Sequence, residues 1–272
     1  MPNAKAVIDL ASEQTGLDIP ALCFEENDKL NITEYTQICM LAVEAAIYQA
    51  IIDKGITPDV TAGLSLGEYG ALIASGAMTM ADAFAVVRKR GIYMQEAVPK
   101  GGAMTAVLGL DPQVIEDICK KTADETNSVV SVANYNCPGQ IVISGSIEGI
   151  NKACELMKAA GAKRALPLKV GGAFHSPLMD PAKVELEAAI NATNFHTPKC
   201  PVYQNVDALP HTDPAEIKKN LVAQLTASVR WTQSVKNMIA DGATDFTECG
   251  PGAVLQGLIK KIDSTVNAHG IA

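Results

Sequence analysis

The sequence contains little charge for its length. Charged residues make up 19% of the 272 residues, whereas 48% are hydrophobic. This composition predicts a globular protein, because disordered chains combine low hydrophobicity with high charge. The formal net charge is −8, and nucleic-acid recognition needs a clustered basic surface. The composition therefore argues against a nucleic-acid-binding protein.

The sequence also lacks the usual signatures of disulfide frameworks, metal sites and membrane anchors. It contains no CxxC pair, no spaced cluster of His, Cys and Asp, and no apolar run near the roughly 18 residues of a membrane span. Its first residues lack the charged-then-apolar order of a signal peptide. We therefore expect a cytoplasmic protein with reduced thiols and no metal, bound cofactor or membrane contact. The seven scattered cysteines are Cys23, Cys39, Cys119, Cys137, Cys154, Cys200 and Cys249.

A nucleophile motif stands between a short apolar run and a helical pattern. Residues 63–67 read GLSLG, which matches GxSxG, with VTAG before Leu64 and EYGALIASG after Gly67. This order predicts a strand, a sharp turn at Ser65 and a helix. The two glycines let a strained backbone pass its neighbours, and the helix start directs the Leu66 N–H towards a developing oxyanion. A serine that merely caps a helix is the alternative.

A serine nucleophile needs a base, and the chain offers four histidines. His175 lies in VGGAFHSPLMD, where a loop after a strand can present an imidazole. His196 and His211 lie in polar loop sequences, and His269 is near the C-terminus, where chains are often irregular. His175 is therefore the predicted general base. A loop histidine without function remains the alternative.

Arg90 is predicted to face inward. At 100° per residue it shares a stripe of about 80° with apolar residues, while Arg88 and Lys89 point away. An inward arginine either forms a structural ion pair or binds an anionic ligand, and its planar fork suits a carboxylate. The apolar residues of the stripe are Ala83, Val87, Met94 and Val98.

The segment 103–169 follows the order βαββαβ, which is the ferredoxin-like pattern. Pro99 and the Gly101-Gly102 pair end the preceding helix, and the main domain resumes near Val170. We therefore expect an α/β protein with a large subdomain at residues 1–100 and 170–272 and an inserted small subdomain at residues 101–169.

Seven ordered segments between positions 63 and 258 resemble the malonyl-CoA:acyl carrier protein transacylase family of fatty-acid synthesis. The resemblance implies an α/β-hydrolase-like large subdomain with a parallel sheet and a ferredoxin-like small one. It further implies ping-pong transfer of a malonyl group, through a serine ester, from malonyl-CoA to the phosphopantetheine thiol of an acyl carrier protein. Malonyl-CoA is then a substrate, and no cofactor is required. The segments are GLSLGEYGAL, RGIYMQEAV, NYNCPGQIVISG, GAKRALPL, GAFHSPLM, QLTASVRWTQSV and ECGPGAVLQGL.

The same resemblance assigns roles at the reacting centre. It places the nucleophile at Ser65, the general base at His175 and the malonate-binding residue at Arg90. Gln224 matches a residue whose main-chain carbonyl orients the histidine, in place of a triad aspartate. Leu66 remains the expected oxyanion donor.

Four further residues match positions around the acyl pocket. Gln37 matches a pocket-lining glutamine, and Asn136 and Gln140 match positions along the same cleft. Phe174, just before the histidine, goes with malonyl rather than branched acyl groups in related acyltransferases.

The sequence departs from the family pattern at two places. Leu64 stands where the family usually has histidine, so we expect altered packing rather than loss of activity. The family also opens with a strand and a loop resembling FPGQGSQ, whose glutamine supplies a second oxyanion N–H, whereas residues 2–19 match the helix beyond that loop. We expect the chain as written to be less stable and much less active than one with that strand restored.

Two other functions compete with this interpretation. A serine esterase would need an acidic triad member, for which Asp111 and Asp180 are available. A remnant that binds coenzyme A or a carrier without turnover is the second. For carrier docking, the candidates are Lys163, Arg164 and Lys169, because an acidic carrier requires a local basic surface; a solvated charged surface is the alternative.

Overall fold

The computed structural model describes residues 2–98 and 101–271, in which helices alternate with short strands. The helices are α1 Pro2–Thr15, α2 Ile19–Phe24, α3 Thr33–Ile52, α4 Gly67–Ser75, α5 Met80–Ala97, α6 Pro112–Thr126, α7 Ile147–Ala159, α8 Asp180–Asn191, α9 Pro214–Ala223, α10 Trp231–Ala240 and α11 Val254–Ile262. The strands are β1 Thr61–Ala62, β2 Gly102–Leu108, β3 Val130–Cys137, β4 Gln140–Ser146, β5 Arg164–Pro167, β6 Val202–Tyr203, β7 Pro210–His211, β8 Asp245–Cys249 and β9 Asn267–Ile271.

Helices α3 and α5 form the centre of the main apolar core. Helix α3 is long and apolar enough to cross a membrane by length and composition, but Ile38 and Leu41 are fully buried in a cluster shared with α1, α4 and α5. The Thr79 side chain caps α5 by accepting a hydrogen bond from the Asp82 N–H at 3.1 Å. Pro99, expected to end α5, lies outside the described residues.

The predicted orientation of α5 is confirmed at Arg90 and wrong at Arg88. Arg90 is only 1% exposed, whereas Lys89 is exposed. Arg88 does not point away into solvent: its Nη1 donates to both the carboxylate and the carbonyl oxygen of Glu34, each at 3.1 Å. The long side chain reaches α3 from the flank of the helix, which a wheel drawn from Cα positions does not represent.

The segment from β2 to β5 forms a four-stranded antiparallel sheet in the order β3-β4-β2-β5. With α6 and α7 packed on one face, this is the ferredoxin-like arrangement expected from the order βαββαβ. This sheet is called the small sheet below, because it belongs to the predicted small subdomain. Its opposite face, the inner face, presents Met104, Ala106, Ala133 and Val142 to Phe174 of the following loop. The division of the chain at residues 101 and 169 stays a prediction.

The large part of the molecule contains two short sheets. Strand β1 pairs in parallel with β6, and β7 pairs antiparallel with β6. Strands β8 and β9 form a separate parallel pair. The expectation of an irregular C-terminus is wrong, because Ala268 is buried and His269 lies in register with Thr247.

The parallel pairing of β1 with β6 places two functional segments side by side. The chain leaves β1 through Gly63 and Ser65, and it leaves β6 through Gln204 and Asn205. Because the carboxyl ends of parallel strands meet at the same edge of a sheet, these segments are neighbours.

Candidate active site

Ser65 occupies a strained turn between β1 and α4. Its φ of 54° lies in the left-handed region, which costs a non-glycine residue about 1–2 kcal/mol. A Cβ at Gly63 would lie 1.9 Å from the carbonyl carbon and oxygen of Gly67, whereas a Cβ at Gly67 would meet nothing within 4 Å. The expectation that both glycines relieve crowding is therefore confirmed only for Gly63.

His175 meets Ser65 from the loop before α8. Its Nε2 lies 2.7 Å from Ser65 Oγ, and its Nδ1 lies 2.9 Å from the carbonyl oxygen of Gln224. A carbonyl can only accept, so Nδ1 carries the proton and donates. Nε2 is then the unprotonated nitrogen that accepts the Ser65 hydroxyl proton.

The surroundings of His175 keep its imidazole neutral. The residue is 4% exposed, and burial, followed by the positive charge of Arg90, lowers the pKa of His175 from 6.5 to about 4. Hydrogen bonds to the backbone of Gln224 and Ala227 oppose this shift. The imidazole is thus an uncharged base at neutral pH.

Neither aspartate considered for an esterase triad contacts His175 in the described part of the chain. Asp111 caps α6 by accepting a hydrogen bond from the Gln113 N–H at 2.9 Å, and Asp180 is an exposed residue at the start of α8. A carbonyl dipole occupies the position that a carboxylate holds in an acid–base triad.

Arg90 lies beside Ser65 and forms no ion pair with another described residue. Its Nη2 donates to Ser65 Oγ at 3.1 Å and to Gln224 Oε1 at 3.2 Å, and its Nη1 donates to Gln37 Oε1 at 2.5 Å. The guanidinium carbon lies 5.6 Å from the centre of the Tyr69 ring. Within residues 2–98 and 101–271, no carboxylate forms an ion pair with Arg90, and its buried Nε has no acceptor. Such a cation is suited to an incoming carboxylate.

The backbone N–H of Leu66 is available to a reacting oxygen. It has no acceptor in the described part of the chain, and it precedes the first turn of α4. The Ser65 N–H is already bound by Asn205 Oδ1 at 2.6 Å. Leu64 packs against the cluster that contains Tyr203 and Trp231, which agrees with a packing role for that side chain.

The remaining predicted pocket residues lie at different distances from this centre. Gln37 contacts Arg90 directly, and Phe174 packs between the main core and the inner face of the small sheet. Asn136 and Gln140 are half-buried at the β3–β4 hairpin. No hydrogen bond in the described ranges joins either of them to Ser65, His175 or Arg90, so their place in the pocket stays a prediction.

The other histidines serve different contacts. His211 lies 2.8 Å from Asp207 Oδ2, and His269 lies 3.1 Å from Thr247 Oγ1. The backbone N–H of His196 bonds Ala77 O. Among the described residues, no group of three or more His, Cys, Asp or Glu side chains could hold a metal ion.

No role was predicted from the sequence for Glu68 and Asn205, which are hydrogen-bonded to each other beside Ser65. Asn205 bonds both Ser65 and Gly63, and the Glu68 carboxylate accepts the Asn205 N–H. Glu68 directly follows the GxSxG motif, and Asn205 lies two residues after β6, the strand that pairs with β1. These two positions were the available signals.

Comparison with known proteins points to one family. Residues 4–269 match the model of the acyl transferase domain. The chain is 46% identical, over 97% of its length and 83% of the relative, to a malonyl CoA-acyl carrier protein transacylase of Bacillus subtilis. Its structure resembles that of an acyl carrier protein S-malonyltransferase of Vibrio cholerae, with a TM-score of 0.96, 41% identity and coverage of 100% of this chain and 89% of the other.

A second solved structure similar to this chain is a complex. It contains a type II polyketide synthase acyl-carrier protein bound to its malonyl-transacylase, with a TM-score of 0.96 and 40% identity. The match covers 100% of this chain and 88% of that one.

Proposed function

The chain belongs to the acyl transferase domain family, and on that premise we propose that it transfers a malonyl group from malonyl-CoA to the phosphopantetheine thiol of an acyl carrier protein, for fatty-acid biosynthesis. The observation that carries the proposal is the contact of Ser65 Oγ with both a neutral histidine and a buried, unpaired arginine. The first makes the hydroxyl a nucleophile, and the second selects an acyl group that ends in a carboxylate. We place the reaction in the cytoplasm and assign it no bound cofactor.

The first half-reaction forms a serine ester. Ser65 Oγ attacks the thioester carbonyl carbon while His175 Nε2 takes its proton, and the Gln224 carbonyl stabilises the resulting imidazolium through Nδ1. The Leu66 N–H donates to the oxyanion. When the tetrahedral intermediate collapses, the C–S bond breaks and the coenzyme A sulfur receives the proton from His175.

The second half-reaction repeats these steps with the carrier thiol. His175 takes the thiol proton, the sulfur attacks the ester carbonyl, and the C–O bond to Ser65 breaks. The proton then returns to Ser65 Oγ. The same base therefore serves both halves of a ping-pong reaction.

Arg90 gives this chemistry its selectivity. Its Nε, which has no acceptor among the described residues, and its Nη2, which now donates to Ser65 and Gln224, can together form a bidentate contact with the malonyl carboxylate. Neutral acyl groups gain no such contact and leave the cation unpaired. Phe174, between the two parts of the molecule, restricts the room for a branch on the acyl group.

Carrier docking is assigned to edge strand β5 and the residues on either side of it. Lys163, Arg164 and Lys169 are all exposed there, and they provide positive charge for an acidic carrier. Replacing Lys163 and Arg164 with Glu should raise the KM for the carrier about tenfold and leave the KM for malonyl-CoA unchanged. The same double charge reversal at Lys120 and Lys121 of α6 is the control, and equal effects of the two pairs would contradict the assignment.

The direct test of the proposal is intact-protein mass spectrometry after brief incubation with malonyl-CoA. We expect a malonyl adduct on Ser65 that disappears when holo acyl carrier protein is added, and no adduct on Ser65→Ala. Hydrolysis of neutral esters without an adduct from malonyl-CoA would indicate an esterase. Binding of malonyl-CoA without either reaction would indicate a non-catalytic protein.

A further inference from the structure

A buried polar network is hydrogen-bonded to the backbone of Ser65 and Gly63. Asn205, which is fully buried, bridges the two ends of the nucleophile turn. Its Oδ1 accepts the Ser65 N–H at 2.6 Å, and its Nδ2 donates to the Gly63 carbonyl oxygen at 2.7 Å. One side chain thus fixes the peptide groups before and after Leu64.

Glu68 holds Asn205 in this position. Its Oε2 accepts the Asn205 N–H at 2.8 Å, and its Oε1 accepts Gln204 Nε2 at 2.9 Å. Glu68 is fully buried and forms no ion pair in the part of the chain that the structure describes. A buried carboxylate is costly unless it is well hydrogen-bonded, so two ordered donors are a strong constraint on the segment after β6.

The carbonyl side of Ser65 is held as well. Gln224 Nε2 donates to the Ser65 carbonyl oxygen at 3.0 Å and lies 3.4 Å from Asn205 Oδ1. Both backbone polar groups of the nucleophile are therefore bound by side chains. A residue in the left-handed region persists only where its surroundings over-determine it, and these contacts provide that determination.

We propose that Glu68 and Asn205 are positioning residues that hold Ser65 Oγ against His175 and turn the Leu66 N–H towards the reacting carbonyl. The inference rests on the proposed role of Ser65 as the nucleophile and extends it to residues that never touch the acyl group. Because Asn205 occupies the Ser65 N–H, the oxyanion is directed to the next N–H along the chain. The network therefore sets both the attack position and the donor.

Single-turnover acylation of Ser65 by malonyl-CoA tests this assignment. We expect Asn205→Ala to lower the acylation rate constant about a hundredfold, since a misplacement of about 1 Å costs that much. The dissociation constant of malonyl-CoA should change less than about threefold, because Asn205 forms no hydrogen bond with Arg90 or Gln37 in the described residues. Asn220→Ala is the matched control: it removes a 3.2 Å bond to Gln204 Oε1 but no contact to the turn.

Asn205→Asp adds a readout that a purely structural role would not produce. One carboxyl oxygen of the aspartate would face the Gly63 carbonyl oxygen. The ionised carboxylate repels that oxygen, whereas the protonated carboxyl group donates a hydrogen bond to it. Glu68, Arg90 and His175 are the charged or titratable groups near this position. Acylation by this variant should rise as the pH falls from 8 to about 5, whereas the wild type stays flat over the same range.

Glu68→Gln is the variant that keeps the shape of the network if the others fail to fold. It retains one acceptor oxygen, so we expect a smaller loss of acylation, about tenfold. Unchanged acylation in both Asn205→Ala and Glu68→Gln, at unchanged melting temperature, would overturn the assignment. A loss in Asn205→Asp that does not recover at low pH would also count against it.

Phenylmethylsulfonyl fluoride separates this inference from the proposed function. In that reaction Ser65 Oγ bonds to sulfur, fluoride leaves and His175 takes the proton, so no acyl donor is involved. If wild-type protein forms no malonyl ester but is sulfonylated rapidly and Asn205→Ala slowly, the positioning role stands and the proposed donor is wrong. Equal sulfonylation of both proteins would reject the positioning role.

Discussion

The buried surroundings of His175, rather than the ordinary pKa of an imidazole, determine its protonation state. Burial and the neighbouring Arg90 disfavour the imidazolium, and the Gln224 carbonyl selects the tautomer with the free electron pair on Nε2. The residue therefore needs no carboxylate to be ready for the Ser65 proton at neutral pH.

This arrangement predicts the pH dependence of the free enzyme. With a pKa of about 4 for His175, kcat/KM for malonyl-CoA should be constant from about pH 8 down to about pH 5 and fall as His175 is protonated near pH 4. Between about pH 6.5 and pH 4, the unfolded chain binds more protons at His175 than the folded chain does. The free energy of unfolding therefore also declines as the pH falls through this range. Rates are therefore measured in brief pH jumps, with circular dichroism as the control for folding. A midpoint near 6.5 would contradict the prediction.

Arg90 predicts a difference between charged and neutral donors. Arg90→Gln removes the cation but preserves a hydrogen-bonding side chain, so kcat/KM for malonyl-CoA should fall at least about a hundredfold. The value for acetyl-CoA should change only a few-fold. Arg90→Lys should not restore malonyl transfer, because a single ammonium cannot replace the planar fork. Steady-state kinetics with both donors measure the effect, and equal losses for the two would argue against carboxylate recognition.

The residues that were found from sequence differ from those that were missed in the kind of signal they leave. Ser65 has a local motif, and Arg90 is a charge within an apolar stripe, so each can be predicted from its neighbours along the chain. The role of the Gln224 carbonyl was predicted through the family resemblance alone, because every residue carries a backbone carbonyl and its contacts depend on where the loop before α10 passes. Asn205 is hydrogen-bonded to Ser65, which lies 140 residues earlier in the chain. The pairing of β1 with β6 brings these two residues together.

At the scale of elements, the turn between β1 and α4 is the tightest part of the site. The Gly63 Cα faces the carbonyl of Gly67, with no room for a methyl group. The strand and the helix can therefore approach closely enough to expose the serine between them.

The two glycines of the motif predict opposite responses to alanine. Gly63→Ala should destabilise the protein by about 3 kcal/mol or prevent folding, because backbone atoms must move to admit the Cβ. Gly67→Ala should stay within about 1 kcal/mol of the wild type, since its Cβ meets open space and alanine favours the helix. Urea denaturation of both variants measures the difference. Similar midpoints for the two would contradict the steric argument.

Elements with strong periodicity could be predicted, and elements held by tertiary pairing could not. Helix α5 and the βαββαβ segment have clear apolar patterns, α5 also has the capping residue Thr79, and α3 is a long run of mostly apolar residues. Strand β7 is two residues long and exists through its antiparallel pairing with β6. Strand β9 carries the sequence NAHGI, with little apolar alternation, and is formed through its parallel register with β8.

At the scale of the whole molecule, the proposed reacting groups all lie outside residues 101–169, but the segments that carry them contact the four-stranded sheet. Phe174 joins the main core to the inner face of the small sheet, and β3 is bonded to the segment around Val229 that follows Gln224. The base and its carbonyl partner are thereby tied to the position of the small sheet.

The buried cation predicts that small dianions stabilise the folded chain. Malonate should bind Arg90 in the native state only and raise the melting temperature with concentration, contributing about 2.7 kcal/mol at a hundred times its dissociation constant. Dimethyl malonate, which is neutral, is the control ligand, and Arg90→Gln is the control protein. Differential scanning fluorimetry gives the shift. An equal shift from the ester, or one that persists in Arg90→Gln, would place the binding elsewhere.

Ser65 and His175 both have left-handed backbone conformations, with φ of 54° and 56°, although they lie 110 residues apart. Glycine accommodates this conformation at no steric cost, whereas other residues lose about 1–3 kcal/mol. Directed evolution that rewards thermal tolerance alone would therefore tend to replace the two reacting side chains with glycine. The proposed reaction therefore requires, at these two positions, side chains that stability alone would not favour.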